Sequence, residues 1–189
     1  MALTRRGLLL AVGDAHVYEP PEAAKDEGIG YAAPRERERA QVPGTAESLA
    51  SFKAKCVGCQ LCIRECGHHV LKPSARADHL FKPELDFRHG WCPPECSRCG
   101  TVCPAGALKP VPEPEKLKVR LGVAKWRWES CLTTRGVKCN ACLRHCPAKA
   151  VSHDAEGHPV VDEKKCIGCG ACEFFCPARP STAMQVEGR

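Results

Sequence analysis

All sixteen cysteines of this 189-residue chain lie between Cys56 and Cys176. They form four groups of four: Cys56-x2-Cys59-x2-Cys62-x3-Cys66, Cys92-x3-Cys96-x2-Cys99-x3-Cys103, Cys131-x7-Cys139-x2-Cys142-x3-Cys146 and Cys166-x2-Cys169-x2-Cys172-x3-Cys176. Disulfide scaffolds show irregular gaps, so this regular spacing argues for metal ligation. Zinc prefers two separated Cys-x2-Cys knuckles, which would leave the third cysteine of each group without a role. Sulfurs two residues apart can instead wrap one loop around an iron–sulfur cubane, with a more distant cysteine closing the last corner. Sixteen cysteines would then satisfy four 4Fe-4S clusters, whose chemistry is the transfer of single electrons.

In a Cys-x2-Cys-x2-Cys-x3-Cys-Pro run the fourth cysteine serves the other cluster of a pair, so two groups must fold against each other to complete both sites. The compact spacing from Cys146 to Cys166 favours pairing group three with four and, by remainder, group one with two. On that reading one site takes Cys56, Cys59, Cys62 and Cys103, and a second takes Cys92, Cys96, Cys99 and Cys66. A third takes Cys131, Cys139, Cys142 and Cys176, and a fourth takes Cys166, Cys169, Cys172 and Cys146. A nested pairing, two with three and one with four, stays open. Gly58, Gly168 and Gly170 sit between ligands, where positive φ and close backbone approach to sulfur are needed. Cys103, Cys146 and Cys176 are each followed by proline, which turns the chain out of the site, whereas Cys66 is followed by Gly67.

Four tandem units organise everything after residue 55. After each last cysteine come a short turn and an apolar stretch that reads as a strand: Val70-Leu71-Lys72-Pro73, Ala107-Leu108-Lys109-Pro110, Ala150-Val151 and Ala183-Met184. Matching strands are expected before the later units, at Phe81–Phe87, Val123–Trp128 and Pro159–Asp162, which makes each linker a hairpin between metal loops. Ala141–His145 and Ala171–Phe175 suit one or two helical turns. The fold class is therefore α+β. It comprises two bacterial-ferredoxin-like modules, 51–115 and 116–189, behind an irregular extension, 1–50, read as charged, proline-bearing linker with short helices at most.

Composition points the same way. Aromatic content of 5% leaves little for a large apolar core, so the clusters themselves must staple the fold. The formal charge of +6 counts every cysteine as neutral. Four ligated cubanes would add about −8 and bring the whole to roughly −2, so basic residues read as counter-charges rather than a nucleic-acid footprint. Lys55, Arg64, Arg98, Lys138, Arg144, Lys164 and Lys165 stand beside the motifs, where they would stabilise a reduced cluster or dock an acidic partner. His68, His69, His89 and His145 read as neighbours of ligands, because the cysteine count is already sufficient. Trp126 and Trp128, alternating with Lys125 and Arg127, read as one packed strand face, and no nucleic-acid partner is expected. The longest apolar run, Leu8–Val12, is far short of the ~20 residues of a membrane span, so any membrane association would be through a partner complex. No nucleophile with its base, phosphate loop or nicotinamide fingerprint is present, and an electron carrier without catalytic residues is expected rather than an enzyme.

The order of the cysteines resembles the ferredoxin-type accessory proteins of periplasmic nitrate reductase systems, of the NapF kind, with NapG/MauM-type polyferredoxins as close relatives. The resemblance rests on the long-gapped third unit Cys131–Cys139, the first-unit ending Cys66-Gly67-His68-His69, and the paired start Arg5-Arg6. It covers residues 1–13 and 50–187. It implies a 4Fe-4S protein of the bacterial cytoplasm whose redox partner is a molybdenum reductase catalytic subunit or its precursor, contacted before export. Residues 14–50 match nothing in that pattern, and Cys92-x3-Cys96 departs from the usual two-residue gap. Thr4-Arg5-Arg6-Gly7-Leu8-Leu9 also resembles a twin-arginine export signal. The apolar stretch behind it is at the lower limit of ~7 residues, Asp14 interrupts it, and no small-x-small cleavage site follows. An uncleaved cytoplasmic protein is expected, with periplasmic export by the twin-arginine route as the alternative. A chaperone-like binding module for a reductase precursor, with purely structural clusters, is the rival function.

Overall fold

The computed structural model describes residues 42–112 and 115–188. The paired arginines Arg5-Arg6 and nearly all of the 1–50 extension lie outside the described residues. Among the described residues, no helix is long and apolar enough to cross a membrane.

The chain enters through α1 (Leu49–Lys55). Ser48 caps it, accepting the Ser51 N–H at 3.1 Å, which satisfies an amide that the first turn leaves unpaired. Lys53 and Lys55 close the last turn, where the helix dipole favours cations. Its inward face carries Phe52, which is fully buried. Four single-turn helices follow, one inside each cysteine group: α2 (Leu61–Arg64), α3 (Arg98–Thr101), α4 (Ala141–Arg144) and α5 (Ala171–Phe174). Helices this short do not persist alone, so packing against the neighbouring loops must hold them. Packing pairs α2 with α3 and α4 with α5.

Among the described residues, three two-stranded antiparallel sheets connect these turns. Strand β1 (Leu71–Pro73) pairs with β2 (Pro83–Leu85), and β4 (Val151–His153) pairs with β5 (Pro159–Val161). These hairpins are built to one plan. Asp86 N–H donates to the Val70 carbonyl and Asp162 N–H to the Ala150 carbonyl, each at 2.7 Å. His69 and Lys149, each three residues past the last cysteine of its group, both take positive φ, at 51° and 49°. The expectation of a hairpin in every linker fails between groups two and three. Ala107–Pro110 forms no strand, and its backbone link to the N-terminal side is one bond, Lys109 N–H to the Thr45 carbonyl at 3.0 Å, beside an ion pair of the Lys109 ammonium with Glu47. The reason is chemical: prolines at 110, 112 and 114 remove ladder donors at every second residue. Strand β3 (Gly122–Trp126) pairs instead with β6 (Met184–Gly188), in the register Gly122↔Gly188 to Trp126↔Met184.

One apolar cluster runs across both halves of the cysteine region. Phe52, Val70, Leu85, Phe87 and Leu108 from the first half join Ala124, Ala150, Met184 and Val186 from the second. Cys62, Cys166 and Cys172 belong to the same cluster, so the sulfurs are part of the core rather than appended to it.

Candidate metal centres

The backbone first sets the loops. Gly58 and Gly168, equivalent positions in groups one and four, take φ of 70° and 71°, and Gly170 takes 79°. Space is as demanding as the dihedral at two of them. A Cβ on Gly168 would lie 2.3 Å from the Gly122 nitrogen, and one on Gly170 would lie 1.9 Å from Cδ1 of Phe87. At the position equivalent to Gly170 the first group has Gln60, which holds φ of 62°.

These loops gather the sulfurs into four sets. Site I is a void lined by Cys56, Cys59, Cys62 and Cys103, together with Phe52, Pro83 and Leu108. Site III is lined by Cys131, Cys139, Cys142 and Cys176, with Leu132, Pro159 and Met184. Site IV is lined by Cys146, Cys166, Cys169 and Cys172, with Ala124, Val151, Ile167 and Val186. The void space, open mouths included, is about 320, 340 and 310 Å3 respectively. At site II, Cys92 lies within electrostatic reach of Cys96 and Cys99, and Cys99 within reach of Cys96 and Cys66. The fourth cysteine of each group thus reaches across to its partner, in the sequential pairing of groups one with two and three with four.

The donor sets fit a cubane. Each void is ringed by four soft sulfurs, and among the described residues no three Cys, His, Asp or Glu side chains draw close enough to hold a single ion. Burial, with neighbouring thiolates, pushes Cys62 and Cys169 up to about 12 and Cys142 up to about 11. Cys172 is pushed well up for the same reasons. Four such sulfurs cannot all be thiolates unless a cationic core neutralises them, which a cluster of iron and sulfide does. Cys131 moves the other way: burial raises it, but the Thr133 hydroxyl at 3.2 Å and the Thr133 and Thr134 amides outweigh that.

Hydrogen-bond donors reach several sulfurs. Ala150 N–H donates to Cys146 Sγ at 3.2 Å, Ala183 N–H to Cys176 Sγ at 3.3 Å and Ala124 N–H to Cys166 Sγ at 3.5 Å. The Thr45 hydroxyl lies 3.4 Å from Cys99 Sγ. Lys116, which the sequence did not single out, reaches Cys92 Sγ at 3.4 Å. Burial pushes Cys92 up to about 11, against the pull of that ammonium.

The basic residues beside the motifs divide. Lys55 pairs with Glu47 at 3.4 Å and Lys165 with Asp162 at 3.4 Å, so these two are engaged in surface ion pairs. The histidines beside the motifs line none of the three voids. His145 stacks on Phe175 with ring centroids 4.0 Å apart. Trp126 lies on β3 as expected and stacks on His158, whereas Trp128 falls beyond the strand and is exposed.

Neighbouring sites touch. Cys62 of site I lies within electrostatic reach of Cys99 of site II, and Cys142 of site III within reach of Cys172 of site IV. Between the halves, Cys92 N–H donates to the Cys169 carbonyl at 2.9 Å, joining sites II and IV directly.

Residues 135–179 match the family described as the 4Fe-4S dicluster domain. The methylamine utilization ferredoxin-type protein MauM of Methylobacillus flagellatus is 34% identical over 148 residues, which are 71% of this chain and 62% of that protein. The ferredoxin-type protein NapG of Escherichia coli is 30% identical over 154 residues, 73% of this chain and 66% of that one. The ferredoxin-type protein NapF of Haemophilus influenzae is 31% identical over 145 residues, 72% of this chain and 74% of that one. The chain therefore spans less than two thirds of the length of the MauM protein.

Proposed function

Because the chain belongs to the ferredoxin-type 4Fe-4S proteins, we propose that it carries four clusters and passes electrons along them in the order I, II, IV, III. All sixteen cysteines are ligands on this reading, four to each site. Residues 51–115 form one two-cluster module and 116–189 the other. When bound, each 4Fe-4S group supplies a one-electron couple. The protein supplies the rest: ligand loops that fix the clusters, donors that tune them, and a packed path between them.

The observation that carries the order is the hydrogen bond from Cys92 N–H to the Cys169 carbonyl. It ties a ligand loop of site II to one of site IV across the two modules. With the I–II and III–IV neighbours, it makes one unbranched row. The row has an accessible end: Cys59 of site I is the exposed cysteine, flanked by exposed Val57 and Leu61, while Phe81 lies beside Gly58. A redox protein docking there would reach site I first.

Its partner is a redox enzyme. The likeness to NapF and NapG supports a molybdenum reductase catalytic subunit or its precursor, and the likeness to MauM supports a component of methylamine utilization as a second reading. Anaerobic redox titration followed by electron paramagnetic resonance tests the carrier role. Clusters that take up electrons reversibly between roughly −700 and +450 mV support it, and clusters inert across that range overturn it.

A further inference from the structure

The gap between Cys92 and Cys96 holds three residues where the tight motif has two, and the loop reads Cys92-Pro93-Pro94-Glu95-Cys96. Two consecutive prolines delete two backbone N–H groups from a loop whose amides would otherwise be free to face a cluster. The Lys116 side chain enters at this loop. Lys116 is 5% exposed, and its Nζ donates to Cys92 Sγ at 3.4 Å, to the Pro93 carbonyl at 2.7 Å and to the Cys96 carbonyl. An ammonium has three donors and no acceptor, so this one is fully engaged by the one loop. Among the described residues no carboxylate forms an ion pair with it, and a buried cation without a counter-charge is costly. The negative charge beside it is that of the site II thiolates.

We infer that Lys116 sets the reduction potential of site II, replacing with a charged donor the amides that Pro93 and Pro94 remove. The inference rests on the electron-carrier reading and deepens it. One-electron reduction, by a poised electrode through a small mediator in the test below, takes a cubane and its four thiolates from about −2 to about −3. No bond to sulfur forms or breaks, and the step moves one electron and no proton. The ammonium interacts more strongly with the more negative state, so it favours the reduced form of site II over the same site without it. Site II is also where Cys92 meets Cys169, so the raised potential falls at the crossing between the halves.

The test compares K116M, K116Q and K116R in the holoprotein, with K125M as a control for loss of one surface charge. Lys125 is half exposed, and its ammonium pairs with the Glu163 carboxylate rather than with a thiol. Iron and sulfide are counted first, and the midpoints are then read by titration with electron paramagnetic resonance. In K116M and K116Q one midpoint is expected to fall by a factor of about ten in the reduction equilibrium, equal to about 59 mV for a one-electron couple. K116R is expected to keep the wild-type value within about threefold, roughly 28 mV on the same scale, and K125M to move nothing. Unchanged midpoints in K116M at full iron content overturn the inference, as does a uniform shift of every cluster. Loss of one cluster in both K116M and K116Q, restored in K116R, overturns it in favour of a structural clamp. Wild-type protein free of iron would overturn the carrier reading itself, a result distinct from all of these.

Discussion

In the second half of the cysteine region strand amides reach three sulfurs, with the Thr133 hydroxyl beside a fourth, whereas in the first half side chains from outside the motifs reach two. Ala124, Ala150 and Ala183 donate main-chain N–H groups to Cys166, Cys146 and Cys176. Each of these alanines lies in a strand or directly before one. Ala150 and Ala183 stand where a strand leaves a site, so the fold itself aims their amides at the sulfur. The first half lacks the strand expected at Ala107–Pro110, and among the described residues the donors that reach its sulfurs from outside the motifs are Thr45 and Lys116, beside the local Ile63 amide at Cys62. Burial follows the same division. Cys131, Cys166, Cys169, Cys172 and Cys176 are buried, while Cys62 is the buried cysteine of the first half and Cys59 is exposed. One repeated cysteine pattern thus draws its distant donors from strand backbone in the second half and from side chains in the first.

The largest effect should come from the seam between the halves. Gly170 of the second half packs on the Phe87 ring of the first, with φ of 79°. Gly170→Ala adds overpacking to left-handed strain and should cost about 3–5 kcal/mol. Gly106 also has positive φ, but a methyl group there would meet nothing within 4 Å, so Gly106→Ala should cost only about 1–2 kcal/mol. Melting followed by cluster absorbance distinguishes them, and equal losses would contradict a tight seam.

Next come the paired hairpin aspartates. Asp86 accepts from the Arg88 guanidinium at 2.6 Å and lies 3.2 Å from the Lys72 ammonium, with a side chain 7% exposed. Burial raises its carboxyl, but Arg88 and Lys72 outweigh that and hold it well below the usual carboxylate range. A folded pKa below the unfolded one, about 3.9, contributes stability that is present above that value and lost as pH falls toward the folded pKa. Asp86→Asn should cost about 2–3 kcal/mol near neutral pH and flatten the acid limb of the stability curve. Asp162, its counterpart, is 42% exposed, so Asp162→Asn should change stability less. Thermal melts from pH 7 down to pH 3 read both, and a larger loss in the Asp162 variant would refute the contrast.

The smallest expected effect is on tuning. Thr45→Val removes a neutral donor from Cys99 and should shift the site II couple by about 0.5–1 kcal/mol, less than loss of Lys116, with sites III and IV unmoved. Titration of the purified variant checks this, and a shift confined to another site would break the assignment of Thr45 to site II.

Much of this was legible because ligand spacing is a local property. The cysteine groups, the helical turns at Ala141–Arg144 and Ala171–Phe174, and the two hairpins all follow from residues close in sequence. Positive φ at Gly58, Gly168 and Gly170 was likewise written in the residue type. Pairing between groups stayed open in the sequence because the reach of Cys103 to Cys56 depends on packing, not on spacing. The β3–β6 pairing was hidden for the same reason, since no turn residues encode a contact between strands some sixty residues apart. Lys116 was hidden more deeply. The odd gap at Cys92-x3-Cys96 marked an irregular loop, but nothing in the pattern said that a lysine twenty residues away would fill it.

The most direct measurement is iron and acid-labile sulfide per chain in anaerobically purified protein. Four cubanes require about sixteen of each, with spin coupling between neighbouring clusters once the protein is fully reduced. About eight of each, confined to one half, or negligible iron beside stoichiometric zinc, would contradict a four-site row.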